Sequence, residues 1–113
     1  MNKLHTHAIM TDGQIEEAAH LFAALAEPAR LRIIQALLGE DLTVSELIEV
    51  TGYRQANVSK HLSILLRAGL LRRSKEGTFV RYSVSDPFLK KLCSMVCGRM
   101  EHHAEERLRA LCP

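Results

Sequence analysis

The chain has 113 residues, of which 47% are hydrophobic and 25% are charged, so it can hold one compact domain and has no room for a second core. This composition is ordinary for a globular protein and excludes the disordered, collagen-like and low-complexity classes. No apolar run reaches the roughly 18 residues that cross a bilayer, and the first residues contain no apolar signal-peptide core. We therefore expect a soluble, cytoplasmic protein that does not engage a membrane.

The net charge of +2 hides an uneven distribution of charged side chains. Residues 54–83 carry seven basic side chains and one acidic one, a local charge of +6, whereas the rest of the chain carries −4. A basic block in an otherwise acidic chain is typical of a face that meets phosphates, although a solvated basic surface gives the same pattern. Stacking on single-stranded nucleic acid is disfavoured, because Trp is absent and aromatic residues make up only 4% of the chain.

From Ile15 to residue 68, apolar residues recur at helical spacing and predict four helices. Thr11 or Asp12 is placed to cap the first helix, and the polar residues 1–11 form a flexible tail. Pro28 is placed to open the second helix. Thr43, with a glutamate three positions later, has the spacing of a capping box and begins the third. The four helices are predicted over residues 12–26, 28–39, 43–52 and 54–68.

The apolar period changes after Gly69. Residues 70–84 read as two strands around a glycine-containing turn, which predicts a β-hairpin. Asp86 as N-cap and Pro87 as first residue then predict a last, long helix. Residues 12–113 are therefore predicted to form one winged helix-turn-helix domain, mainly α with a small hairpin. Its element order is helix, helix, helix, helix, strand, strand, helix.

The third and fourth helices have the arrangement that major-groove reading requires. In that arrangement the third helix supports the fourth, and residues early in the fourth helix point at base edges. Val58 and Leu62 take the inner face of the fourth helix, which leaves its polar residues outward. Lys75, Thr78 and Arg81 are predicted at the hairpin tip, beside the DNA. An amphipathic helix with an ordinary polar face is the alternative. The predicted DNA contacts are Ser45, Arg54, Gln55, Asn57, Ser59, Lys60, His61, Arg73, Lys75, Thr78 and Arg81.

A more specific signal comes from several short stretches. They read AEPARLRI from residue 26, VSEL from residue 44, QANVSKHL from residue 55, AGLL from residue 68, and KEG from residue 75 followed by VRY from residue 80. In combination they resemble the ArsR/SmtB family of bacterial winged-helix repressors, which respond to metals, metalloids or sulfur species. The resemblance implies a homodimer built mainly from the first and last helices. It also implies binding to an imperfectly palindromic double-stranded operator, which an inducer releases.

The sensing sites used elsewhere in that family are not reproduced here. Residues 42–47 contain no cysteine for the family's Cys-x-Cys site, and residues 28–39 contain none for its sulfide-responsive pair. His103 and Glu106 have the spacing of one half of a family zinc site on the last helix. The other half of that site falls on a lysine and a leucine, which cannot bind zinc.

Cys93 and Cys97 are one helical turn apart, which puts their Cβ atoms about 6 Å apart on one face. Two thiolates so placed suit a soft ion such as As(III), Cd(II), Pb(II) or Zn(II). A third ligand, Cys112, His102 or His103, lies too far along one straight helix and has to come from an antiparallel partner helix or a frayed end. Thiol oxidation or persulfide sensing without metal, and inert packing at the dimer seam, stay open as alternatives.

Two other classes of function are compatible with a small winged helix. An enzyme is disfavoured, because the only nucleophile and base candidates are Cys93 with His102 or His103. They lie along one helix without an oxyanion loop or a glycine-rich phosphate turn. A winged helix used only for protein contacts is the second class. The basic block and the Gln/Asn face of the fourth helix count against it.

Overall fold

The computed structural model describes residues 9–85 and 87–111. Residues 1–8 of the predicted tail, the predicted N-cap Asp86 and the candidate ligand Cys112 lie outside these ranges. Within them the chain forms helices and strands in the order predicted, with one additional strand. The bounds are α1 Asp12–Leu25, α2 Pro28–Gly39, β1 Leu42–Thr43, α3 Val44–Thr51, α4 Gln55–Arg67, β2 Leu71–Glu76, β3 Phe79–Val84 and α5 Phe88–Leu111.

The predicted winged helix-turn-helix is confirmed, and its sheet has three strands rather than two. β2 and β3 form the antiparallel hairpin around a two-residue turn, with Glu76 opposite Phe79. The additional strand β1 pairs with the other edge of β3, Leu42 opposite Tyr82. A two-residue strand shows no alternation of apolar and polar residues, so the sequence pattern could not reveal it.

Local capping residues set the helix starts close to where they were predicted. Thr11, rather than Asp12, caps α1, and its hydroxyl accepts a hydrogen bond from the Gln14 backbone N–H at 3.2 Å. Thr43 caps α3 through the predicted capping box. α5 begins one residue later than predicted, and the carbonyl of Pro87 accepts its first backbone hydrogen bond at 3.1 Å.

The core lies beneath α4 and is built from one face of each central element. Each fully buried aliphatic side chain contributes about 1.5–3 kcal/mol relative to its exposure to water. Leucine and isoleucine dominate, which is typical of a core that is packed from helices. The buried apolar side chains are Ala24, Leu25, Ile33, Ile34, Leu37, Leu42, Leu47, Val58, Leu62, Leu65, Leu70, Leu71 and Leu89.

The first and last helices are each held to this core at one end only. In α1 the buried residues are Ala24 and Leu25, at its C-terminal end, and in α5 the buried residue is Leu89, in its first turn. The remainder of α5 projects from the body, and the radius of gyration is 18.1 Å. A compact chain of this length has a radius of gyration of about 13 Å. Despite its length, α5 is not apolar enough to span a membrane, and neither is any other helix of the described residues.

The end of α3 supplies a test of the backbone geometry. Gly52 caps this helix at φ +72°, and a Cβ there would meet no atom within 4 Å, so the cost of a side chain is backbone strain alone. We expect Gly52→Ala to lower the free energy of unfolding by about 1–2 kcal/mol in urea denaturation. Gly39→Ala, in equally open space inside α2, is the control and should leave stability unchanged or up to about 1 kcal/mol higher. Equal losses at both positions would contradict the strain at Gly52.

Candidate nucleic-acid interface

The helix-turn-helix consists of α3, a short turn and α4. Gly52 makes the turn possible, because its left-handed backbone lets its N–H bond the Ile48 carbonyl at 2.8 Å. On α4, Val58, Leu62 and Leu65 are at most 1% exposed and face the core. The polar side chains at the N-cap and in the first two turns are exposed, and we call them the reading face. Its members are Arg54, Gln55, Asn57, Ser59 and Lys60, all exposed as predicted.

The N-terminus of α4 adds positive charge to this face. Arg54 occupies the N-cap position, and no side chain caps the helix there. The first backbone N–H groups of a helix have no partner within it and carry the positive end of the helix dipole. A phosphate or a base acceptor in front of α4 therefore meets backbone N–H groups as well as the guanidinium of Arg54.

His61 is not part of the reading face, and the prediction that it faces outward is wrong. The residue is 6% exposed, and its Nδ1 lies 3.2 Å from Nη1 of Arg30. His61 follows Val58 by three positions and precedes Leu65 by four, so the helical period turns it toward the core. A hydrogen-bonding partner from α2 makes this burial of an imidazole tolerable.

The wing is the β2–β3 hairpin. Gly77 takes φ +61° in the turn, and Thr78 follows it as the second turn residue. Lys75 lies one position from the end of β2, and Arg73 lies opposite Tyr82 farther down the strand. The side chains of Arg73, Lys75 and Thr78 are all exposed, so the wing presents two cations and a hydroxyl to solvent.

Arg81 does not lie at the wing tip, which corrects the prediction. It lies within β3, opposite Ser74, and its guanidinium is turned toward the body of the domain. Nε bonds Glu76 Oε2 at 2.9 Å, and Nη1 lies 3.3 Å from Glu46 Oε1 and 3.4 Å from the carbonyl of Asp41. We call this set of contacts the wing brace, because it joins both wing strands to α3.

The charges of the wing brace reinforce one another. The backbone N–H of Thr43 lowers the pKa of the Glu46 carboxyl, burial partly opposes this shift, and the Thr43 hydroxyl and the Arg81 charge lower the pKa further. The hydrogen bond from Arg81 to Glu76 raises the pKa of the guanidinium, and the negative charge of Glu46 adds to this effect. Both shifts favour the charged forms of Glu46 and Arg81.

The two cysteines lie in the first half of α5. Cys93 is half-buried and packs against the core, whereas Cys97, one turn later, is exposed. The thiol of Cys97 donates to Glu101 Oε1 at 3.8 Å. The pair thus spans the boundary between the core-bound part of α5 and its projecting part.

The histidines of α5 turn away from the cysteines. His102 Nε2 lies 3.2 Å and His103 Nδ1 3.6 Å from the carboxylate of Glu106. On a helix these histidines lie about 140° and 120° around the axis from Cys97, on either side. Consistently, no group of three or more His, Cys, Asp or Glu side chains is placed to hold a metal ion within residues 9–85 and 87–111.

Two supporting residues were not predicted from the sequence. Glu76 was detectable, because a two-residue turn makes Arg81 its diagonal neighbour across the hairpin. Arg30, which is 8% exposed and contacts α4, gave no local signal, since its partner His61 is 31 positions away.

Comparison with known proteins decides the family. Residues 27–73 match the model of the family described as bacterial regulatory protein, arsR family. The regulator Rv0081 of Mycobacterium tuberculosis, an uncharacterized HTH-type transcriptional regulator, is 35% identical over 94 residues, 82% of each chain. The chain belongs to the ArsR family. A probable mercury resistance operon repressor of Streptomyces lividans is 40% identical over 72 residues, which are 64% of this chain and 58% of that protein's length.

Solved structures agree with this assignment. The crystal structure of Rv0081 has a TM-score of 0.78 at 29% identity, covering 87% of this chain and 99% of that one. The homodimeric winged helix-turn-helix DNA-binding domain of Mb0332 from Mycobacterium bovis has a TM-score of 0.77 at 25% identity, covering 88% and 94%. The antimony-specific transcriptional repressor AntR has a TM-score of 0.74 at 26% identity, covering 87% and 89%. This ArsR-family protein is a winged-helix, DNA-binding transcriptional regulator and not an enzyme.

The wing brace makes a prediction about the salt dependence of DNA binding. Arg81→Ala is expected to weaken binding while leaving the slope of log K against log salt unchanged, because its guanidinium is paired with Glu46 and Glu76. Arg73→Ala is the matched control and should reduce the slope by about 0.9 for each subunit that binds, the value for one lost phosphate contact. Fluorescence anisotropy titrations at four salt concentrations measure both. A reduced slope for Arg81→Ala would show that Arg81 contacts phosphate instead.

Proposed function

We propose that this ArsR-family regulator is a homodimeric repressor that inserts two reading faces into successive major grooves of an imperfectly palindromic operator. We further propose that a soft metal or metalloid ion bound by Cys93 and Cys97 lowers its operator affinity. The observation that carries the first proposal is the division of α4 into a fully buried apolar side and an exposed polar side.

The chemistry of the exposed side chains fits base and phosphate recognition. Gln55 and Asn57 each offer an amide that pairs with adenine N6 and N7, and Arg54 offers the fork that pairs with guanine. Lys60 is placed for phosphate, and the small Ser59 allows close approach of the backbone. The wing supplies contacts to a neighbouring stretch of backbone. The proposed supporting contacts outside α4 are Ser45, Arg73, Lys75 and Thr78.

A second copy of the chain is the proposed cover for the projecting helices. On α5, Val96 is 49%, Met100 60% and Leu108 63% exposed, and these residues continue the apolar stripe that begins in the core at Leu89. On α1, Phe22 is 57% exposed. Apolar area of this extent on two helices favours a dimer seam, and Mb0332 is itself described as homodimeric. A dimer must also hold its reading faces about 34 Å apart to reach two half-sites.

The donor set favours a soft ion as the proposed inducer. Thiolates select soft cations, and two thiols one turn apart supply two ligands from one helix. Since the described residues of one subunit offer no third ligand, we assign it to Cys112 or to His102 or His103 of the second subunit. Similarity to a probable mercury resistance operon repressor and to an antimony-specific repressor supports this class of ion.

Thiol oxidation or persulfide formation is the second candidate for induction. Cys97 is exposed and accessible to an oxidant, and it has one thiol neighbour, Cys93, on the same face. Helical spacing holds their Cβ atoms about 6 Å apart, whereas a disulfide needs about 3.8 Å. A disulfide within α5 would therefore unwind a turn of the helix, so the two candidates predict different helix contents after induction.

Operator reading is tested by one substitution for bases and one for phosphate. Asn57→Ala should weaken binding by about 1–3 kcal/mol for each half-site of the selected operator, relax the preference at one base pair in each half-site and leave non-specific binding unchanged. Lys60→Ala should weaken binding to all sequences alike and reduce the salt slope by about 0.9 for each subunit, about 1.8 for the proposed dimer. The operator is selected by the wild type from a randomised duplex pool. Equal losses of specific and non-specific binding for Asn57→Ala would exclude it from base reading.

Induction is tested with cysteine variants. Cys93→Ser and Cys97→Ser should bind the operator like the wild type but stay bound when As(III), Cd(II), Pb(II) or Zn(II) is added under reducing conditions. Native mass spectrometry reads the ion stoichiometry, and Cys112→Ser tests the third ligand. A persulfide donor in a parallel titration tests the second candidate. If the ion that releases the wild type from the operator also releases both variants, the cysteine site is excluded.

A further inference from the structure

Arg30 joins three helices through one buried guanidinium. Its Nε donates to the carbonyl of Ala24 at 2.6 Å and its Nη2 to the carbonyl of Ala23 at 3.2 Å, both at the end of α1. Its Nη1 lies 2.9 Å from the Glu27 carboxylate and 3.2 Å from Nδ1 of His61 on α4. The side chain of Arg30, at the start of α2, therefore contacts both α1 and α4.

The contact with His61 has a defined polarity. A guanidinium has only donors, so Nδ1 of His61 is the acceptor in this contact. With the bonds to two carbonyls and one carboxylate, the buried charge of Arg30 is compensated on every side. His61 is thus a specific polar attachment point on α4 rather than a filler of the core.

α1 is buried in the core at its C-terminal end, which is where Arg30 contacts it. Apolar packing holds it through Ala24 and Leu25, and it has no basic residue in its own last turn. Its cap residue Ala26 has φ −84° and ψ 46°, outside the left-handed geometry that closes many helices. The positive charge of Arg30 at the negative end of α1 therefore stabilises this helix end and fixes it relative to α4.

We propose that Arg30 and His61 form a positioning pair that sets the angle between α1 and α4, and through it the distance between the two reading faces of the dimer. This inference rests on the proposed homodimer with α1 at its seam. A small rotation of α4 relative to the seam moves each reading face along the DNA. The pair therefore determines which half-site spacing the dimer accepts, without itself touching DNA.

The test separates spacing from the strength of one half-site contact. His61→Leu removes the acceptor at similar volume, whereas His61→Asn is the conservative variant, because its Oδ1 accepts a bond near the position of Nδ1. Arg30→Lys is a second disruptive variant, since an ammonium cannot reach the same set of acceptors. The wild type selects its duplex from a randomised pool. Each variant is then titrated against that duplex, a single half-site, and versions with one or two base pairs inserted or removed between half-sites.

We expect His61→Leu and Arg30→Lys to bind the selected duplex at least about tenfold more weakly, to keep half-site affinity within about twofold, and to prefer a changed spacing. His61→Asn should stay within about threefold of the wild type on every duplex. Circular dichroism and sedimentation confirm folded dimers.

Three outcomes overturn the proposal. Equal losses of affinity for the half-site and for the full duplex would mean that the pair only stabilises α4. Unchanged binding by both disruptive variants would exclude a role in spacing. If the wild type enriches no two-fold symmetric duplex, the proposed homodimeric function fails, and the positioning pair fails with it.

Discussion

Burial of one side of α4 governs where its other side points. Val58, Leu62 and Leu65 are at most 1% exposed, so α4 cannot roll about its axis without bringing them into water. At about 1.5–3 kcal/mol for each such side chain, this packing outweighs any single polar contact on the opposite side. The direction of Gln55 and Asn57 is therefore set by the core before DNA arrives. Such preorganisation spares the cost of ordering the reading face on binding.

The parts of the structure that were predicted correctly rest on local signals. Apolar spacing of three and four residues and capping residues such as Thr43 act within one helical turn, so they are readable from one stretch of chain. The prediction for His61 is wrong although its position on the helix, about 40° around the axis from Leu65, is beside the buried face. Its partner Arg30 lies 31 residues away, so no nearby residue indicated that the imidazole is buried.

The pairing of charged side chains in the wing was also not predictable from nearby residues. Arg81 belongs to the basic block, and composition cannot distinguish a cation that faces solvent from one that is already paired. Its acidic partners are 5 and 35 positions away, on another strand and another helix. β1 was not predicted because its two residues form a strand only by pairing with β3, which is distant in the sequence. Long-range pairing, not propensity, decided both features.

The proposed inducer site lies where α5 leaves the core. Cys93 packs against the core and Cys97 is exposed one turn beyond it, far in sequence from the reading face. An ion held there acts on operator affinity only through its different affinity for two arrangements of the subunits, typically about 1–3 kcal/mol. Leu89 of α5 is 1% exposed in the same core that buries Val58 and Leu62 of α4, and Arg30 joins the end of α1 to α4. Because the hydrogen bonds of Arg30 are directional, a change in the angle between α1 and α4 has to lengthen or bend at least one of them.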